Sequence, residues 1–474
     1  MTGADKFNEA AATEHLDDLR REAAKRRLVN SVARADKAPQ QGPTGMRGFL
    51  LIWLGQAASY MGSSIVTFGL TIWAWQETGQ ATALALVGFF SFVPTLLASP
   101  FAGVLVDRWN RKHVMLLSDA GSALASLVIL LLYRAGALEV WHLYLLGAWS
   151  GFVGAFQFPA FSAAITTLLP EKQYARAGGL RSLLNSLAHI GGPTLAGILL
   201  AFSNLATLLV IELVTFFLAV LTLLPVHIPP PAKNELEEEE PTRFWEEVTY
   251  GFRYIFSRRS VRGLTLTFAG INLFAMLGVT VLSAMILARS GNDEVLLGGV
   301  RSALGLGGLA SGLFISLWGG PERKVYGVLL GVMGGSVALT AMGLGQSFFA
   351  WAGAAFAAFF FFPMLDAFSG AIFQRKVPPQ VQGKFFSALL AVSHTGTTLA
   401  YLLAGPLADR VLEPAMQPKG ALADTFGWLV GTGEGAGMAL MVVLAGVLGV
   451  LVGIAALLYK PVRDIETLLP DHKA

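Results

Sequence analysis

Apolar stretches of about 20 residues, the length of a bilayer-crossing helix, recur along this chain from residue 48 to residue 460, and few folds accommodate that pattern. They fall at 48–76, 82–106, 113–133, 141–168, 174–202, 205–225, 263–288, 295–318, 325–345, 348–374, 381–407 and 436–459. In lipid every backbone polar group must be satisfied internally, which leaves helices or closed barrels. Barrel strands alternate in polarity and span about 10 residues, whereas these stretches are longer and continuously apolar. The expectation is an all-α membrane protein of twelve transmembrane helices. Composition agrees, with 14% charged residues against about 25% in soluble domains.

Charge is distributed unevenly about those stretches. With both termini cytoplasmic, the cytoplasmic segments hold Arg20, Arg21, Arg26, Arg27, Arg108, Arg111, Lys112, Lys172, Arg176, Arg258, Arg259, Arg323, Lys324, Arg375 and Lys376. The opposite loops at 134–140, 203–204 and 346–347 hold almost none. That is the positive-inside bias, and it sets the orientation. Cysteine is absent, which removes disulfides, thiolate metal sites and thiol redox chemistry. The polar segment 1–47 carries no apolar core of the signal-peptide kind. Within it, 13–29 places Leu16, Leu19 and Ala23 on one side, which suits either a solvated tail or a membrane-surface helix.

The longest interior polar stretch, 226–262, divides the spans six and six. Pro229, Pro230 and Pro231 followed by Glu237 to Glu240 read as a linker. Phe244, Val248, Phe252, Ile255 and Phe256 then recur at helical spacing, as in an amphipathic helix lying on the cytoplasmic leaflet. The predicted organisation is a tail (1–47), a six-helix bundle (48–225), the linker (226–262), a second six-helix bundle (263–460) and a cytoplasmic tail (461–474). An internal repeat supports it. Gly178, His189 and Gly191 return as Gly383, His394 and Gly396, Phe158-Pro159 as Phe362-Pro363, and Arg111-Lys112 as Arg323-Lys324. Two pseudo-symmetric repeats imply a cavity between them and alternating access by rocking. Glycines at four-residue spacing, such as Gly308/Gly312 and Gly327/Gly331/Gly335, suit close helix packing in lipid.

The turn after the second span reads Gly103-Val104-Leu105-Val106-Asp107-Arg108-Trp109-Asn110-Arg111-Lys112. It resembles the signature loop of the major facilitator superfamily, with Asn110 where that pattern has glycine; asparagine tolerates the left-handed conformation of a tight turn. The resemblance implies a gating role for Gly103, Asp107, Arg108 and Arg111, with Asp119 as an acid the arginines can hold, latching the halves on the cytoplasmic side. In the second half Gly319 stands at the aspartate's position, so a latch there is degraded. A purely topological role for the basic residues is the alternative.

In the fifth span, Gly179, Gly192-Pro193 and Gly197 are similar to the glycine-rich helix motif of proton-coupled drug exporters. Leu117-Ser118-Asp119, Phe158-Pro159-Ala160, Ile211-Glu212 and Gly251-Phe252-Arg253-Tyr254 resemble the macrolide-efflux branch, whose relatives include siderophore exporters. The resemblance covers residues 48–460 and implies export, by a monomer of the bacterial inner membrane, of a small amphipathic molecule such as a drug, macrolide-like compound or siderophore in exchange for protons. A lysophospholipid flippase of the same fold and a non-transporting sensor are the alternatives.

Ionisable residues inside spans are functional candidates. Glu212 and Asp366, and the repeat-related His189 and His394, are the candidates for proton coupling, each against a structural role. Arg301 either lies buried or reaches the outer surface. Gln56, Tyr60, Gln157, Phe158, Asn272, Phe274 and Phe360 lie on the first, fourth, seventh and tenth spans, which face the cavity in the family. Aromatics with a few amides suit an amphipathic substrate. Gly383-Lys384 runs into Phe385 rather than a phosphate loop, and no His-Glu-x-x-His cluster appears. The pattern therefore favours neither an ATP-driven pump nor an enzyme, and it points to no metal, no cofactor beyond the proton, and no nucleic acid.

Overall fold

The computed structural model of the protein describes residues 43, 45–228 and 244–469. The expected tail, the proline and glutamate runs of the linker, and residues 470–474 lie outside the described residues. So do the side chains of Gly103, Asp107, Arg108, Phe158, Phe244 and Val248.

The helices are α1 (Gly45–Thr78), α2 (Ala81–Arg108), α3 (Arg111–Arg134), α4 (Val140–Leu168), α5 (Tyr174–Phe202), α6 (Leu205–Leu223), α7 (Phe244–Ser257), α8 (Arg259–Ser290), α9 (Glu294–Trp318), α10 (Lys324–Leu344), α11 (Phe348–Lys376), α12 (Pro379–Leu407) and α13 (Ala436–Leu458). Among the described residues there is no strand, and ten helices are long and apolar enough to cross a membrane. Large apolar side chains such as Phe202 and Leu317 stand 89% exposed, as a lipid-facing surface requires.

Local chemistry sets the ends. α1, α8 and α9 stop at glycines of positive φ, Gly79, Gly291 and Gly319, a conformation that closes a helix at little cost in glycine alone. Asp293 caps α9 by accepting from Leu296 N at 2.8 Å. Asn110 likewise caps α3, accepting from Lys112 N at 3.0 Å. Its φ of −67° and ψ of 114° are extended, so asparagine stands there as a helix cap and not, as expected, for left-handed freedom.

The helix pairings of the first half recur in the second. α1 packs on α5 and α6, and α8 on α12 and α13; α4 packs on α2 and α3, and α11 on α9 and α10; α3 meets α6 as α10 meets α13. Across the halves α5 packs on α9 and α12 on α2, a reciprocal pair. The sequence repeat maps onto this arrangement. Gly191 on α5 faces Met61 of α1, and Gly396 on α12 faces the Ala269 carbonyl of α8.

The connecting segments pack on the helices beside them. α7 spends part of its apolar side on protein: Tyr254 and Ile255 are buried against α12, with the Tyr254 ring 5.7 Å from that of Phe385, while Phe256 stays exposed. The described part of the carboxy-terminal tail, residues 461–469, is docked on α10 and α11. Val462 and Ile465 are buried, Glu466 accepts from Val325 N at 3.0 Å at the start of α10, and Lys376 Nζ donates to the carbonyls of Glu466 and Leu469.

The glycine spacings also separate into two kinds. A Cβ on Gly331 would stand 2.7 Å from Leu365 N of α11, whereas Gly308, Gly312 and Gly370 face open space. Gly331→Ala is therefore expected to destabilise the protein by about 1–3 kcal/mol through overpacking. Gly370→Ala, on the partner helix, is expected to be neutral or slightly stabilising. Thermal unfolding of the two variants in one detergent checks the contrast.

Candidate functional site

The hydrogen bonds between the two halves, among the described residues, gather at one end of the molecule. Trp75 Nε1 donates to Asn292 Oδ1 and Gln76 Nε2 to Glu294 Oε1, each at 2.8 Å. Asp409, just beyond α12, reaches across to the first turn of α2, accepting from Ala81 N at 3.0 Å, Thr82 N at 2.7 Å and the Thr82 hydroxyl. An acid at a helix N-terminus satisfies orphan N–H groups and meets the positive end of the helix dipole. Deeper, the Ser302 hydroxyl of α9 donates to the Ile190 carbonyl of α5 at 2.8 Å and pairs with Thr194. Phe92 of α2 meets His394 and Tyr401 of α12, ring centroids 5.3 and 5.9 Å apart.

The glycines predicted as an exporter-like motif build this seam. A Cβ at Gly197 would stand 2.7 Å from the Glu294 carbonyl, and one at Gly298 2.7 Å from the Pro193 carbonyl, so the α5 and α9 backbones nearly touch. Gly192 sits against Ser64 of α1, and Gly179 faces open space. Pro193 lacks the N–H that would bond the residue 189 carbonyl. Ser64 and Ser302 bond the adjacent carbonyls of Ala188 and Ile190.

Towards the other end the same helices part. Along α5, Ile190, Thr194 and Gly197 meet α9, but Arg176, Gly179, Leu183 and Leu187, which continue that stripe at helical spacing, are exposed. Along α9, Gly298, Ser302 and Gly305 meet α5, while Leu309, Gly312 and Ser316 are exposed. The molecule has a sealed end and an open end. Three sealed-end loops, 135–139, 203–204 and 345–347, hold no lysine or arginine and the longer segment 408–435 holds Arg410 and Lys419, while Arg111, Lys112, Lys172, Arg176, Arg323 and Lys324 stand at the open end.

Among the described residues, three adjoining chambers lie between them. The first, about 380 Å³, is bounded by Tyr60, Thr67 and Phe68 of α1, His189 of α5, Ser283 of α8 and Arg301 of α9. Arg301 Nη2 donates to Ser283 Oγ at 2.6 Å. The bond runs sideways between residues at matching depth in α8 and α9, so the guanidinium faces the interior and does not reach to the surface.

The second chamber, about 230 Å³, adjoins it through Tyr60 and Ser63. Asp119 lies there, 3% exposed, with Gln56 donating to Oδ2 at 3.1 Å and Gln157 to Oδ1 at 2.9 Å; Gln157 also donates to Gln56 Oε1 at 2.8 Å. The structure thus joins the expected gating acid to two expected cavity residues. Arg111 instead donates to the Ala163 carbonyl at 3.1 Å, two helical turns from Asp119.

The third chamber, about 260 Å³, is inside the first half and holds Glu212, which is 5% exposed. Ser126 Oγ donates to Glu212 Oε2 at 2.7 Å, and Ser63 bonds it as well. Asp119 and Ser126 are seven residues apart on α3, as Gln56 and Ser63 are on α1. Seven residues are nearly two turns, so the two acids are consecutive rungs between the same two helices.

The other candidates are placed elsewhere. His394 sits in the seam and His189 at the first chamber. Asn272 donates to the Phe268 carbonyl of its own helix at 3.0 Å. Phe360 packs with Phe314, Phe356 and Phe361 in an aromatic cluster of α9 and α11. Phe274, Phe360 and Asp366 border none of the three chambers. Sequence reasoning missed Asp409, whose role depends on a partner 328 residues away.

A family model described as the Major Facilitator Superfamily matches residues 52–401. Macrolide efflux protein A of Streptococcus pyogenes is 25% identical over 366 residues, covering 77% of this chain and 90% of that protein. An enterobactin exporter of Shigella dysenteriae is 28% identical over 185 residues, covering 39% of this chain and 42% of that protein. The fold is similar to that of a bacterial homologue of the human lysosomal transporter Spinster in an inward-facing, unoccupied conformation, with a TM-score of 0.62, 18% identity, and coverage of 90% of this chain and 98% of that one.

Proposed function

This chain belongs to the Major Facilitator Superfamily, and we propose that it exports a small amphipathic molecule from the cytoplasm across the bacterial inner membrane by alternating access, in exchange for protons. The relatives named for macrolide and enterobactin export support the direction. The observation that carries the mechanism is the split stripe on α5 and α9, packed at the sealed end and bare at the open end. Two bundles with equivalent internal pairings and one shared seam need only rock about that seam to exchange which end is shut.

α4 and α5 complete the set of twelve spans, and the domain boundaries follow the two sets of pairings. The open end is cytoplasmic, because the basic residues gather there, and both termini lie on that side. Each half is packed within the one chain, so a monomer suffices. Glu212 carries the coupling proton: it is a buried acid held by hydroxyls alone among the described residues, one rung from Asp119 and joined to the first chamber through Ser63. Gln56, Tyr60 and Gln157 meet the substrate next to Asp119. No metal or organic cofactor enters the cycle.

The test is reconstitution in liposomes with an imposed pH gradient, scanning a macrolide, a catecholate siderophore and a lysophospholipid. Movement of one of the first two that collapses with the gradient is the expected result. Movement of the lysophospholipid alone, indifferent to the gradient, would replace the reading with a flippase.

A further inference from the structure

We propose that Arg301 makes the first chamber a site for amphipaths carrying an oxyanion, a carboxylate or phosphate, in preference to cations with the same tail. The inference rests on the exporter reading and names the charge class of its substrate. A guanidinium has five N–H donors in a planar fork that matches an oxyanion with two bonds. Arg301 gives one of them to Ser283, and no carboxylate of the described residues is bonded to it. It lies seven residues into α9, about 10 Å from the helix end, where an uncompensated cation is costly and marks a function.

The carboxylates of the adjoining chambers and of the seam, among the described residues, have other partners. Asp119 is held by two glutamines in the adjoining chamber, Glu212 by serines within the first half, and Asp409 by the first turn of α2. The titratable groups facing Arg301 are His189 and Tyr60 across the chamber and Tyr401 on α12, none of them an anion in its ordinary state. Tyr60 and Phe68 offer apolar surface for a tail beside the charge. A space of about 380 Å³ takes a polar head and the first part of a chain.

The experiment measures equilibrium binding to the full-length protein in a neutral maltoside detergent. The probes are dodecyl phosphate, laurate, dodecyltrimethylammonium and inorganic phosphate. Dodecyl phosphate and laurate are expected to bind at least tenfold more tightly than the cation. Arg301→Ala is expected to weaken them about tenfold, the worth of one charge-assisted bond of about 1.4 kcal/mol. Arg301→Lys is expected to retain part of the affinity, having the charge without the fork. Saturation by inorganic phosphate alone would point to a free-anion site and overturn the amphipath assignment. Equal binding of the cation, or anion binding unchanged in both folded variants, would overturn the inference. If Arg301→Ala does not fold, Arg301→Lys together with Ser283→Ala decides, since Ser283→Ala frees a donor and is expected to leave anion binding equal or tighter. Drug movement without anion binding would leave the exporter standing and this site refuted. Anion binding lost in Arg301→Ala, with nothing moved by a gradient, would do the reverse.

Discussion

Glu212→Gln is expected to lower gradient-driven transport at least tenfold, an increase of about 1.4 kcal/mol in the barrier, while substrate counterflow without a pH gradient continues. The substitution keeps the size of the side chain and an oxygen to accept from Ser126, so the 2.7 Å contact and the surrounding packing persist. What it removes is the ability to take up and release a proton. A carrier whose cycle passes through a charged and a neutral form of that group then has only one of them. Ser126→Ala separates coupling from stability. It deprives a buried carboxyl of a partner at a cost of about 1–3 kcal/mol, so it should lower the unfolding temperature more than Glu212→Gln does. Asp119→Asn differs again, because both oxygens of Asp119 accept from amide groups and an asparagine nitrogen would face a donor. That variant should disturb the order of Gln56 and Gln157 and weaken substrate binding at every pH. Transport unchanged in Glu212→Gln would sink its assignment and pass the role to Asp119 or Asp366.

The spans were legible because apolar length is a local property, read directly against bilayer thickness. The repeat Gly191/Gly396 was legible because each glycine serves an equivalent packing, α5 on α1 and α12 on α8, whereas His189 and His394 meet different surroundings. Pairings over long sequence distances were not. Asp119 stands close in sequence to a loop rich in arginine, and proximity suggested an ionic latch. The fold turns it instead towards amides on α1 and α4, because residues on one face of α3 meet the helices beside it and not the loop before it. Phe360 stood on a helix expected to face the cavity, and in the fold four aromatics at short spacing pack on one another there. The amphipathic pattern of α7 was read as a lipid contact since sequence alone does not distinguish a bilayer from a neighbouring helix. Gly251, which lets that helix lie against the Lys384 carbonyl, was the signal that could have told them apart.

Asp409→Ala is expected to open the sealed end. Its carboxylate caps a helix of the opposite half, so the bonds exist only while the two halves meet there. Loss of an acidic helix cap costs about 0.5–2 kcal/mol, and here that cost falls on the sealed state alone. About 1.4 kcal/mol moves a two-state population tenfold, so outward-open molecules should become about tenfold more common. The chain contains no cysteine, which makes a single introduced one a clean reporter. Thr71→Cys lines the first chamber on the sealed side, and its labelling by a membrane-impermeant maleimide from outside measures the opening. The rate should rise about tenfold when Asp409→Ala is added, and by a smaller factor with Asp409→Asn, which keeps one acceptor and loses the charge. Transport should slow in the same order, because the carrier must restore the seal before it can receive substrate from the cytoplasm. A labelling rate indifferent to both substitutions would mean that Trp75, Gln76 and the α5–α9 glycine contacts hold the end shut without Asp409, and the cross-half cap would then be a consequence of closure and not part of its cause.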